Sequence, residues 1–469
     1  MALRSIITTK RAVCNWSRHH QATVVKLKAQ KLTPIVQACF YSNKEAVPRP
    51  SQANSSYKVL IVGGGSGGNA VAAKFASLGK KCAVVEPSDL HYYQPIWTLV
   101  GAGLKGFQAS VEPTRKVLPN SVDWIQDKAV KFDPQNNTVE LGSGEKVEYD
   151  YLVVAMGIQL DYDKVDGLME ALEEDPAVAS NYHPRWVNKT FPAMQNFEGG
   201  NAIFTFPNTP IKCAGAPQKI MYLAEEFFRK TGVRDDSKVI FNTSLGVIFG
   251  VKKYADALQK VIQSRNIQVN YRHNLVSVDH KNRTATFAKL DEDNELVPFE
   301  YNFLHVTPPM SSPDVLKTSP LVNETGYVDL NKHTLQHTKF SNVFGIGDCT
   351  SLPTSKTAAA IASQCGIVHK NLSAVMEGKK ATPMYDGYTS CPLITGSNKC
   401  ILAEFDYDLA PLETLPINQG VERRLAYGMK AYLMPEIYWN VMMKGKWNGP
   451  ATFRKILHLG MSKSPKLQA

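Results

Sequence analysis

A short β-branched run, Tyr57-Lys-Val-Leu-Ile-Val62, passes directly into Gly63-Gly64-Gly65-Ser66-Gly67-Gly68 and then into an Ala/Val-rich stretch that reaches Leu78. Strand, glycine turn and helix in immediate succession leave little choice but the opening unit of a dinucleotide-binding α/β domain. Gly63, Gly65 and Gly68 stand at the G-x-G-x-x-G spacing. The first glycine permits the tight turn, the second lets a pyrophosphate approach the backbone, and the third lets helix pack on strand. The phosphate charge then lies at the helix N-terminus. The motif alone is weak, because glycine-rich loops are common. Here a second strand, Cys82-Ala-Val-Val85, follows and ends in Glu86, 21 positions after Gly65. An acid about 20 residues on is placed to meet ribose hydroxyls.

Two later segments favour FAD over NAD. Tyr149-Asp-Tyr-Leu-Val-Val-Ala-Met-Gly157 reads as a buried strand running into a small-residue turn. Asn342-Val-Phe-Gly-Ile-Gly-Asp348 reads as a strand ending in an acid, with a Ser/Thr/Ala-rich helix start, Thr354-Ser-Lys-Thr-Ala-Ala-Ala360, behind it. Such an acid can bind ribitol hydroxyls, and such a helix start can stabilise negative charge on a reduced isoalloxazine. Each segment alone could be ordinary core; their order along the chain points to one cofactor.

From about 200 to 315 strand and helix alternate again: Asn201–Phe206, Gln218–Thr231, Lys238–Phe241 and Lys252–Ser264. The expected place for a nicotinamide-binding turn is after Phe241. That stretch, Asn242 to Gly250, has no G-x-G-x-x-G, and Leu245, Val247, Ile248 and Phe249 are bulky. The expectation is a domain that keeps the architecture without binding NAD(P)H. The fold class is therefore α/β: two Rossmann-like dinucleotide-binding domains of the FAD/NAD(P)-binding superfamily, followed by a C-terminal helical segment for a membrane interface. The expected boundaries are a mitochondrial transit peptide over 1–44, FAD-binding parts over 57–165 and 320–384, a second Rossmann-like domain over 166–319, and a C-terminal region over 385–469.

Charge supports the first of these. Residues 1–44 carry eight Lys and Arg and no Asp or Glu, out of a net charge of +11 for the chain. An acid-free amphiphilic start, with Leu3, Ile6, Ile7, Val13 and Trp16 interleaved, reads as a mitochondrial address rather than a basic arm. The remainder is only mildly basic, so a nucleic-acid partner is not expected. A composition 43% hydrophobic and 20% charged is globular, not disordered. No run reaches the ~18 apolar residues of a membrane-spanning helix.

The eight cysteines form no C-x-x-C. Cys14 and Cys39 fall in or near the presequence; Cys82, Cys349, Cys365 and Cys400 fit packing roles. Cys213 and Cys391 differ. Cys213 lies in Pro207-Asn-Thr-Pro-Ile-Lys-Cys-Ala-Gly-Ala-Pro217 and Cys391 in Tyr388-Thr-Ser-Cys-Pro392, both read as proline-framed loops. A helix N-terminus and Lys212 would favour the Cys213 thiolate. By themselves these residues leave a redox pair and two unrelated loop thiols equally open.

Ile61–Gly68, Tyr92-Tyr-Gln-Pro-Ile-Trp-Thr-Leu-Val-Gly-Ala-Gly103, Phe204–Gln218, Phe344-Gly-Ile-Gly-Asp-Cys349 and Tyr385–Pro392 together resemble the eukaryotic, mitochondrial sulfide:quinone oxidoreductases, within the two-dinucleotide-domain flavoprotein superfamily. The two cysteine segments carry most of that resemblance. It implies hydrogen sulfide as donor, FAD as cofactor and ubiquinone as acceptor, at the inner membrane as a peripheral or monotopic protein. It implies Cys213 and Cys391 as the catalytic pair, in disulfide or sulfur-bridged form. Hydrosulfide attack would leave a persulfide on Cys213 and a Cys391 thiolate that reaches the flavin. The persulfide sulfur would pass to glutathione or sulfite. The implied FAD contacts are Gly63, Gly65, Ser66, Gly68, Glu86, Gln94, Val130, Gly157, Asp348, Lys356 and Thr357. Two other readings are a type II NADH:quinone dehydrogenase-like flavoenzyme and a non-catalytic FAD-binding interaction protein. The first needs a nicotinamide turn; the second leaves the two cysteines without a purpose.

From Leu425 to Ala469 seven basic residues face one acid, Glu436, with aromatic and Met residues interleaved. The pattern suits a segment lying in a lipid interface, or else amphipathic helices packed on the protein itself. Phe453, Ile456 and Leu457 recur at helical spacing with Arg454 and Lys455 opposite. The histidines suggest no metal site: His91 falls near the flavin side, and His333 and His337 would share a helical face without a partner carboxylate.

Overall fold

The structure, a computed structural model, describes residues 55–382 and 384–460. The expected transit peptide, Cys14 and Cys39, and the last lysines of the basic tail lie outside these. The first sheet has five parallel strands in the order Asp123–Ile125, Cys82–Val85, Ser56–Val62, Lys146–Val154 and Val343–Gly345. Its central strand is buried on both faces, which is why it reads as an unbroken apolar run. A hairpin of Ala129–Asp133 and Thr138–Leu141 joins the start of Lys146–Val154 in antiparallel fashion. Gly63 holds φ at +102°, and a Cβ on Gly68 would lie 1.8 Å from the Gly63 carbonyl oxygen. This turn accepts no side chain at either position.

The second sheet is also parallel, in the order Gln268–Tyr271, Ser237–Thr243, Gly200–Phe206, Phe303–His305 and Val178–Ala179. A three-stranded antiparallel sheet, His273–Asp279, Thr284–Lys289 and Glu295–Glu300, lies beside it in sequence. This order corrects the expected place of the nicotinamide turn. The strand that matches Ser56–Val62 of the first sheet is Gly200–Phe206, so the equivalent turn is Pro207–Gly215, which carries Cys213. Of the bulky residues in the turn after Thr243, Ile248 and Phe249 are buried, while Val247 is exposed.

A hairpin of Thr389–Gly396 and Lys399–Phe405 follows, and the chain ends on helical turns over 424–442 and a helix, Ala451–Leu457. Two of those turns are π-type, widened by one residue. No helix among the described residues is long and apolar enough to cross a membrane. His333 sits in a turn and His337 in a β-bridge with Leu330 rather than on a shared helix face, and no cluster of three metal-ligating side chains forms among the described residues.

Candidate active site

Two segments distant in sequence bring Cys213 and Cys391 together. The Pro207–Gly215 turn carries Cys213 into the helix Ala216–Thr231, and Cys213 itself holds φ at +58°. Cys391 is not on a loop, as its prolines suggested. It lies within the fully buried strand Thr389–Gly396, paired with Ala403. The two sulfurs are 3.5 Å apart. The approach depends on Gly215: a Cβ there would come within 2.4 Å of the Cys391 sulfur and 2.6 Å of a Leu393 methyl. Its φ of −86° suits any residue, so the demand for glycine here is purely steric.

The charge beside the sulfurs comes from a residue the sequence reading passed over. Lys212 turns away and donates to the side-chain oxygen of Gln94 at 2.7 Å. Lys219, one turn into the helix and almost wholly buried, instead donates to the Cys213 sulfur at 3.2 Å. The hydrogen bond from Cys391, and after it the Lys219 ammonium, hold the Cys213 thiol well below its ordinary range. Cys391, the donor to that sulfur and itself buried, is pushed well above. In the dithiol form Cys213 is thus the thiolate and Cys391 keeps the proton. A second buried cation, Lys430 of the C-terminal segment, donates to the Pro95 carbonyl and is pushed down to about 8, first by burial and then by Lys219. Lys219 left one sequence trace: a cation on the first turn of an otherwise apolar helix face, six residues after Cys213.

Of the remaining expected site residues, Lys356 and Thr357 adjoin this pair. The Cys213 amide donates to the Lys356 carbonyl at 2.7 Å. Thr389, two residues before Cys391, shares a 2.8 Å hydrogen bond with Thr357, which caps the helix Ala358–Met376. The Lys356 ammonium donates to the Asp348 carbonyl, and a cleft runs past Asp348, Lys356, Thr357 and Gln364. On the first sheet the Gly64 amide donates to the Glu86 carboxylate at 2.7 Å, and burial raises that carboxyl. Val130 stands apart on the hairpin strand Ala129–Asp133, with its side chain exposed.

These residues suit a flavin dinucleotide. A Cβ on Gly65 or Gly157 would meet nothing within 4 Å, so the backbone is open to a ligand at both positions. One carboxylate oxygen of Asp348 is buried without a protein partner, which a ribityl hydroxyl would supply. Burial holds the Asp348 carboxyl above the usual range.

Two dinucleotide-type sheets with a thiol pair at the second sheet's phosphate turn define the FAD-dependent disulfide oxidoreductase class. Residues 57–185 match the family described as pyridine nucleotide-disulphide oxidoreductase. A mitochondrial sulfide:quinone oxidoreductase of Mus musculus is 54% identical over 412 residues, covering 87% of this chain and 91% of that protein. One from Dictyostelium discoideum is 43% identical over 401 residues, covering 84% and 88%. The X-ray structure of the sulfide:quinone oxidoreductase from Aquifex aeolicus matches with a TM-score of 0.73 at 20% identity, covering 88% of this chain and 96% of that one; this likeness shows the common fold. The chain belongs to the mitochondrial sulfide:quinone oxidoreductases.

Proposed function

We propose that this mitochondrial flavoenzyme oxidises hydrogen sulfide at Cys213 and Cys391 and delivers the electron pair through FAD to ubiquinone. The observation that carries the reading is the 3.5 Å approach of two sulfurs beside the Lys356–Thr357 segment and the buried Asp348. Hydrosulfide opens the oxidised pair: a new S–S bond forms on Cys213 as the old one breaks, and Cys391 leaves as a thiolate. The Lys219 ammonium, 3.2 Å from the Cys213 sulfur and acting on Cys391 as well, is placed to stabilise the departing Cys391 charge. FAD supplies a two-electron acceptor that can be reoxidised by a quinone. Gly63, Gly65, Ser66, Gly68, Glu86, Gln94, Gly157, Asp348, Lys356 and Thr357 would hold it. Val130 has no polar side-chain atom, so its part would fall to its backbone. The sulfane sulfur passes from Cys213 to a small nucleophile, glutathione or sulfite. Anaerobic sulfide should bleach the flavin band at once, and NADH should leave it unchanged; bleaching by NADH alone overturns the reading. The physical ground is that the place of a nicotinamide turn is filled by Pro207–Gly215.

The C-terminal helix supports a lipid surface as partner. In Ala451–Leu457 the usual polarity is reversed. Arg454 is 3% exposed, set over the Tyr388 ring and against Asp386, whereas Ile456 is 64% and Leu459 is 83% exposed. Arg454 faces inward and the apolar stripe outward, whereas Lys455, expected beside Arg454, is exposed with the stripe. Phe453, Leu457, Leu433 and Tyr432 are exposed too. An apolar face turned away from the core fits the acyl boundary of a bilayer, where the quinone is dissolved. Replacing Ile456 and Leu457 with Asp should lower co-sedimentation with phospholipid vesicles about tenfold or more while sulfide still bleaches the flavin. Unchanged partition would refute the assignment.

A further inference from the structure

The segment that carries this apolar face also reaches the dinucleotide turn. Tyr438, buried, lies with its hydroxyl 2.8 Å from Ser66 Oγ and 2.6 Å from His91 Nε2. His91 Nδ1 is 2.9 Å from Asn69 Nδ2, and that amide nitrogen is 2.7 Å from the Gly64 carbonyl. Four side chains and one carbonyl thus form a single chain of polar contacts. Tyr438 packs on the Tyr93 ring at 4.3 Å, and Lys74, on the same helix as Ser66, donates to Gly445 O and Asn448 Oδ1.

The hydrogens of this chain can be placed from one end. The Gly64 carbonyl only accepts, so Asn69 must present its NH2 group. His91 Nδ1 lies 2.9 Å from that group and 3.1 Å from the Gly64 carbonyl. Burial pushes His91 down to about 4, so the ring is neutral and carries one hydrogen. With that hydrogen on Nε2, Nε2–H donates to the Tyr438 oxygen and the Tyr438 hydrogen donates to Ser66 Oγ. The Ser66 hydrogen is left over.

We propose that Tyr438 and His91 are cofactor-positioning residues, which aim the Ser66 hydroxyl hydrogen at a phosphate oxygen of FAD. The proposal rests on the reading of the Gly63–Gly68 turn as the seat of the FAD pyrophosphate. Ser66 opens the helix on that turn, and every bond in the chain runs donor to acceptor toward the anion, so each polarises the next. The last segment of the polypeptide thereby completes a site begun at residue 63.

The test is the rate at which FAD leaves the holoenzyme, read from the rise in flavin fluorescence on dilution. Tyr438→Phe keeps the ring and removes the hydroxyl; release should quicken about tenfold, the scale of one hydrogen bond to a charged group. Ser66→Ala should do the same. The double variant should be no faster than Ser66→Ala within about twofold, because the first change removes what the second acts through. Release from Tyr438→Phe at the unsubstituted rate, or a double variant about a hundredfold faster, overturns the proposal. Gly65→Val separates it from the reading beneath it. If that variant holds no FAD while Tyr438→Phe behaves as the unsubstituted protein, the turn stands and the positioning role falls. If Gly65→Val binds FAD normally, both fall.

Discussion

Cys391→Ser, and equally Cys213→Ser, should abolish the sulfide-dependent bleaching of the flavin, by about a thousandfold or more in rate. A serine forms no S–S bond, so hydrosulfide meets nothing to open, and no other thiol among the described residues can stand in. Burial pushes Cys82 and Cys400 up to about 12, and Cys349 and Cys365 up to about 11, so each stays a protonated, inert thiol. Both substitutions leave the residues expected to bind FAD in place, so both variants should still hold oxidised flavin. Stopped-flow mixing with sulfide under argon is the measurement. Reduction at full rate in either variant would remove the dithiol from the reaction.

Lys219→Met should cost about tenfold to a hundredfold at neutral pH, and the loss should fade as pH rises. The ammonium 3.2 Å from Cys213 favours the charged sulfur, so it lowers the thiol's pKa. Removing it raises that pKa by roughly one to two units, the span of a close opposite charge, and the thiolate fraction falls tenfold per unit. The acid limb of the pH profile for alkylation of the reduced protein should therefore move to higher pH. Lys219→Arg keeps the charge and should restore most of the rate. Lys212→Met is the contrast, because the Lys212 ammonium is spent on Gln94; its profile should not move. An unshifted profile in Lys219→Met would deny that ion pair its role.

The C-terminal variants and the cysteine variants separate two ends of one electron path. Loss of the cysteines stops entry from sulfide. Loss of the outward apolar face leaves entry intact and weakens the approach to a lipid-dissolved acceptor.

Much of the first domain was legible because its signals are local. A turn that admits no Cβ at Gly63 or Gly68, a strand buried on both faces and an acid at a strand end each leave their mark within a few neighbouring residues. The cysteine pair was half legible. Its two segments were distinctive, yet nothing in either one tells how far apart the sulfurs lie, and prolines beside Cys391 disguised a buried strand as a loop. Lys212 drew attention because it adjoins Cys213 in sequence. Lys219 took the role because the first turn of a helix folds it back onto the sulfur.

The sequence by itself determined the two α/β units, the FAD turn and the two suspect cysteines, since those rest on backbone conformations and burial patterns set by near neighbours. Only the tertiary structure decided that Gly200–Phe206 is the central strand of the second sheet, that its phosphate turn holds Cys213, that Lys219 charges it, and that Tyr438 reaches back to Ser66. Strand order and side-chain contacts across hundreds of residues are settled by how whole layers pack, and no stretch of chain records them alone.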